Sequence, residues 1–134
     1  MSDESRKYYR AAVDRYGDAQ VLLSGNRTTG AVYLAGYAVE CALKTLIIAA
    51  TRPSGRSKAA SDFRGKKNHD LEHLRSVYFR KGGPRFPPDI ARLFALVNWW
   101  NTDLRYDTKR VSTPDAEDFL GATTIILEWV KRRL

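Results

Sequence analysis

Apolar residues run almost unbroken from Ala31 to Ala50, AVYLAGYAVECALKTLIIAA, with charge only at Glu40 and Lys44. The stretch is long enough to span a membrane, but two charges near its middle argue against that. The pattern predicts instead the central helix of a small bundle, covered on most sides by other helices. Ala35, Gly36, Ala38 and Ala42 leave room for close neighbours. Burying Glu40 without a partner would cost several kcal/mol or more, so the carboxylate marks a polar site within or between bundles.

Helical periodicity extends to both sides of this segment. Tyr8, Ala12, Tyr16, Ala19 and Leu23 recur at helical spacing and predict a first helix over about Asp3 to Leu23. Ser24-Gly25-Asn26 ends it, with Gly25 expected as a left-handed cap. So short a turn makes the first two helices antiparallel neighbours. Thr51 to Asn68 is rich in Ser, Gly, Lys and Arg and reads as an exposed, mobile loop. A short helix is expected from about His69, capped by Asn68 or Asp70, carrying Leu71, Leu74, Val77 and Tyr78 and broken at Gly82-Gly83-Pro84. After Pro87-Pro88, the residues Ile90, Leu93, Phe94, Val97 and Trp100 mark another apolar face.

The last helix has Thr113 as its expected cap, Pro114 at its first helical position, and Asp115, Glu117 and Asp118 at the positive end of its dipole. Lys131, Arg132 and Arg133 sit at the negative end, and Phe119, Thr123, Ile126, Leu127, Val130 and Leu134 are expected to face inward. No segment alternates in the strand pattern. The expected architecture is all-α: one domain over 1–134, an up-and-down bundle of four long helices plus one short helix.

Charge narrows the choice of partner. The chain has 23 Lys and Arg against 15 Asp and Glu, a net charge of +8. Arg52, Arg56, Lys58, Arg64, Lys66 and Lys67 cluster in the 51–68 segment, and Arg80, Lys81 and Arg85 form a second group. Such clustering suits a polyanion, with RNA the leading candidate. The single cysteine, Cys41, precludes an internal disulfide, and the polar start MSDESRKYYR lacks an apolar signal core, so a cytoplasmic setting is expected. No glycine-rich phosphate loop follows a strand, which removes that kind of ATP hydrolysis.

Three segments together resemble a HEPN domain: AQVLLSGNRTTGAVYLAGYAVECALKTLI, HDLEHL at 69–74, and LRYD at 104–107. The resemblance covers nearly the whole chain. It implies a helical bundle, pairing into homodimers, and a link to RNA or nucleotide chemistry within toxin–antitoxin or defence systems, beside a nucleotidyltransferase partner. Many such domains are metal-independent endoribonucleases. Their signature is an arginine, a polar residue and then a histidine shortly after, near the final helix. Here the final helix has no histidine, and the one formal match is Arg64-Gly-Lys-Lys-Asn-His69, with glycine in the polar position.

The candidate site follows from these segments. Tyr33, Tyr37, Glu40 and Lys44 share one helical stripe. Arg105 and His69 are expected at its edge, with Tyr106 beside Arg105. A guanidinium there would hold a phosphate and the tyrosines would stack on a base. The expected binding set is Tyr37, Glu40, Lys44, Lys66, Lys67, Arg105 and Tyr106. The structural alternative is an ion pair between Glu40 and either Arg105 or Lys44 that fixes helix packing. The catalytic alternative is an endoribonuclease using His69 with Arg64 or Arg105. His69-Asp70-Leu71-Glu72-His73 spells H-x-x-E-H, but no third ligand is evident, so a helix start is the reading and no metal or other cofactor is expected. Of the adjacent pair Trp99 and Trp100, one should fill the core and the other reach the surface.

Overall fold

The structure is a computed structural model and describes residues 2–134. Among these, six α-helices and three 3-10 turns account for the regular structure, with no strand. The α-helices are α1 (Asp3–Ser24), α2 (Thr28–Ala50), α3 (Arg56–Ser61), α4 (Leu71–Arg80), α5 (Pro88–Val97) and α6 (Thr113–Lys131). Three are long. α4 and α5 have ten residues each, and α3 has six, where the sequence pattern had suggested four long helices and one short.

α2 is the axis of the bundle. It packs along α1 and against α6 and α4, and it also meets α3 and the turn Thr102–Tyr106. Its hydrophobic composition alone would allow a membrane span, but 78% of the most apolar window is buried within the fold. The small residues Ala31, Ala35, Ala38 and Ala42 are fully buried, which lets neighbouring backbones approach. Gly36 is the tightest position: a Cβ there would lie 2.1 Å from the indole of Trp100, which donates from Nε1 to the Tyr33 carbonyl at 3.1 Å. Trp100 is therefore the tryptophan in the core, and Trp99 stays 47% exposed with its ring against Phe119.

Side chains cap the starts of α1, α4 and α6, with some shifts from expectation. Asp70 caps α4, its carboxylate accepting from the Glu72 and His73 amides. Ser112, not Thr113, caps α6 by accepting from the Asp115 amide, which places Pro114 at the second helical position instead of the first. At the end of α1 the left-handed residue is Asn26 (φ 63°), while Gly25 keeps φ −86°. Asparagine tolerates that conformation better than most side chains. Leu134, expected inward, lies beyond the end of α6 and is exposed.

The 51–68 segment departs most from its expected form. Instead of an open loop it folds into the 3-10 turn Pro53–Gly55, helix α3, and the 3-10 turn Lys66–His69. Ala59, Phe63 and Asn68 are buried in it. The Asn68 side-chain amide donates to the Asp62 carbonyl at 2.9 Å and to that of Arg64 at 3.4 Å, which closes the turn between α3 and α4.

Candidate functional site

The central pair is Glu40 and Lys44 on α2. Their side chains are 3% and 7% exposed, and Lys44 Nζ donates to Glu40 Oε2 at 2.9 Å. Lys44 Nζ also lies 5.8 Å from the Tyr8 ring centre and 5.5 Å from that of Phe63, two rings that meet edge to face. The ammonium is thus enclosed by a carboxylate and two aromatic rings, one from α1 and one from the segment after α3. Cation–π contact partly replaces the water it has lost.

The second Glu40 oxygen is taken by His69, whose Nδ1 lies 2.8 Å from Oε1. An ionised carboxylate paired with Lys44 can only accept, so this contact puts the imidazole proton on Nδ1. His69 is 43% exposed, and Nε2 is left as the ring nitrogen available to a ligand. Tyr37 fixes the ring from the side, edge to face at 6.0 Å, and Tyr37 itself packs on Trp100 and Tyr33. The Tyr33 hydroxyl donates to that of Tyr37 at 3.3 Å. Burial, then this hydrogen bond, pushes the Tyr37 phenol well above its ordinary pKa.

His69 opens onto a cleft of about 290 Å³ lined also by Asp70, Asn98, Trp99, Trp100, Asn101 and Thr102. This wall had no signal in the helical stripe, because it comes from the non-helical stretch after α5; the exposed member of the Trp pair was its only trace. Arg105 lies on the adjoining turn Thr102–Tyr106, fully exposed, with its guanidinium 4.7 Å from the Tyr106 ring centre. The neighbouring Tyr33 phenol stabilises that charge and raises the guanidinium pKa further.

The structure therefore brings Glu40, Lys44, His69 and Tyr37 into one network. Of the two cations the sequence offered to Glu40, it is Lys44 that pairs, while Arg105 and Tyr106 stay on the surface beside Tyr33. Arg64 and Lys67 are exposed on the segment that delivers His69, and among the described residues no ion pair or hydrogen bond joins Arg64 to His69. The Lys66 side chain lies outside the described residues. His73 lines a different cavity from His69, so the H-x-x-E-H histidines do not converge. Among the described residues no three His, Cys, Asp or Glu side chains gather as a metal site would require.

Cys41, the neighbour of Glu40, is an inert thiol in this setting. Burial, and secondarily the Glu40 charge, push its pKa from 9.0 up to about 11.

This architecture, an all-helical bundle wrapped around a central apolar helix with an ionic network at its flank, defines a class of small helical modules. The family model described as HEPN domain matches residues 5–133, and the chain belongs to that family. Neither the curated proteins nor the solved structures supply a significant match.

Proposed function

We propose that this chain is an RNA- or nucleotide-binding module of the HEPN family. The observation that carries the reading is His69, held through Nδ1 by the buried Glu40 and facing a cleft with an exposed tryptophan. Trp99 offers a stacking surface for a base, and Asn98, Asn101 and Thr102 offer neutral hydrogen-bonding groups. Exposed cations flank His69 on both sides: Arg64 and Lys67 on its own segment, Arg105 with Tyr106 on the turn after α5. The net charge of +8 supports a polyanionic partner. In this reading Glu40, Lys44 and Tyr37 act beneath the surface, setting the tautomer and the angle of His69. The module works in the cytoplasm as a homodimer within a toxin–antitoxin or defence pair, with a nucleotidyltransferase as the accompanying protein. Titrating labelled single-stranded RNA at two salt concentrations tests binding. Affinity should fall as salt rises and should drop in Trp99→Ala. A curve indifferent to both would exclude this surface.

One observation favours a second reading, metal-independent endoribonuclease. A carboxylate behind a half-exposed imidazole is the arrangement a general base needs. Nε2 of His69 would take the proton from the 2′-hydroxyl, and Arg64 or Arg105 would stabilise charge on the phosphate. Incubation with RNA in EDTA decides it: cleavage lost in His69→Ala and kept in His73→Ala supports catalysis, and intact RNA with wild-type protein rejects it. A bundle that neither binds nor cleaves RNA would leave the role of structural dimerisation partner to a nucleotidyltransferase.

A further inference from the structure

A second cavity, of about 340 Å³, lies between α2, α3 and α4 and shares no lining residue with the His69 cleft. Its floor is apolar: Ile47 from α2, Ala59 from α3, Phe63 after α3, and Val77 from α4. Ile47, Ala59 and Phe63 are all buried, so the floor is preformed. Its rim is charged. His73 and Arg80 fall on the same stripe of α4 as Val77, by spacings of four and three, and Lys81, the residue that ends the helix, continues it. Among the described residues, the His73 ring makes no hydrogen bond, and neither Arg80 nor Lys81 forms an ion pair. Across the opening, Asp62 is engaged by Lys58 at 3.3 Å. Asn68 has its amide hydrogens committed to the turn, which leaves its carbonyl oxygen free to accept.

We infer that this cavity binds a small amphipathic anion: one aromatic or heteroaromatic ring carrying a phosphate or carboxylate. The ring lies on Phe63 and Val77, above the buried Ile47, and the acid group meets His73, Arg80 and Lys81. A volume of about 340 Å³ is at the lower end of ligand pockets, which suits a body of one ring. The α4 carbonyl end is close by and repels an anion, so the counter-charge has to come from side chains. Binding should therefore depend strongly on Arg80 and Lys81. The site stands apart from the RNA surface, since its cations belong to the C-terminal end of α4 and the residue that caps it, not to the segment bearing Arg64 and Lys67.

The experiment is an NMR titration of the full chain with phenyl phosphate, benzoate, inorganic phosphate and benzyl alcohol. Phenyl phosphate or benzoate should shift the Val77 methyl and His73 ring signals, and the tighter of the two identifies the acid group. Inorganic phosphate and benzyl alcohol should bind at least about tenfold more weakly, because each lacks half of the contact. Arg80→Ala and Lys81→Ala, both at exposed positions, should each weaken binding by about tenfold. Inorganic phosphate binding as tightly as phenyl phosphate would overturn the inference, as would shifts unaffected by both substitutions. Absence of any shift at Val77 and His73 with either ring acid would overturn it too.

Discussion

His69 reaches Glu40 from 29 positions along the chain, and the 2.8 Å contact between its Nδ1 and the buried carboxylate links α2 to the start of α4. Lys44 holds the other oxygen, so each carboxylate oxygen has a partner. Removing Glu40 leaves the buried Lys44 ammonium and the His69 Nδ1 without their acceptor, and removing Lys44 leaves the buried carboxylate with His69 alone.

Glu40→Gln keeps the shape and deletes the charge. The Lys44 ammonium then remains enclosed by Tyr8 and Phe63 without its carboxylate, and the protein should lose about 3–5 kcal/mol of stability in urea denaturation. The double variant Glu40→Leu with Lys44→Met, which removes both charges, should be less destabilised than Glu40→Gln. A single-variant loss under about 1 kcal/mol would mean that the pair is hydrated and weak.

Gly36→Ala adds one methyl at the tightest point of the core. The new carbon would sit 2.1 Å from the Trp100 indole, so the ring must move and its hydrogen bond to the Tyr33 carbonyl must stretch. About 1–3 kcal/mol of destabilisation is expected, with a change in tryptophan emission as Trp100 shifts. Unchanged stability and emission would show that α2 and the turn after α5 are not in firm contact.

For RNA binding, Arg64→Ala and Lys67→Ala should each reduce the salt dependence by roughly 0.7 in slope, as expected for losing one phosphate contact on a single strand. Trp99→Ala should cost about 1–3 kcal/mol and leave that slope unchanged, because stacking releases no counterions. Electrophoretic or fluorescence titrations over a salt series measure both quantities.

Cys41 gives a pH test. Its folded pKa is raised from 9.0 to about 11 by burial, so the unfolded chain loses the thiol proton first. The stability contribution is complete below pH 9 and declines as pH climbs toward 11. At about 1.4 kcal/mol per unit the full decline is about 3 kcal/mol. Tyr8, Tyr37 and Tyr78, also raised by burial, add to the same alkaline arm. In Cys41→Ala the decline between pH 9 and 11 should be shallower; an identical slope would remove the thiol from the account.

The helical framework was legible because burial imposes a period. α2 announced itself by its apolar run, and the Glu40–Lys44 pair by a spacing of four residues. Which residue would reach Glu40 from elsewhere was not legible, since a contact across 29 residues leaves no periodic trace. The 51–68 segment departs from its expected form for a related reason: a six-residue helix is too short to display a face, and its anchors are isolated side chains, Phe63 and Asn68. The polar wall of the His69 cleft, Asn98, Asn101 and Thr102, is irregular backbone, where side-chain direction depends on local turns and not on any repeat.

Phe63 seated over Lys44, together with the Asn68 amide clasping the turn, has an energetic consequence for association. Arginine and lysine on a free tail must surrender backbone freedom when they grasp a polyanion, and that loss erodes affinity. Here the stretch holding Arg64 and Lys67 is anchored on either side, by Phe63 before it and by the Asn68 amide after it. Encounter should therefore resemble rigid docking more than folding upon contact, with a modest heat-capacity change in calorimetry.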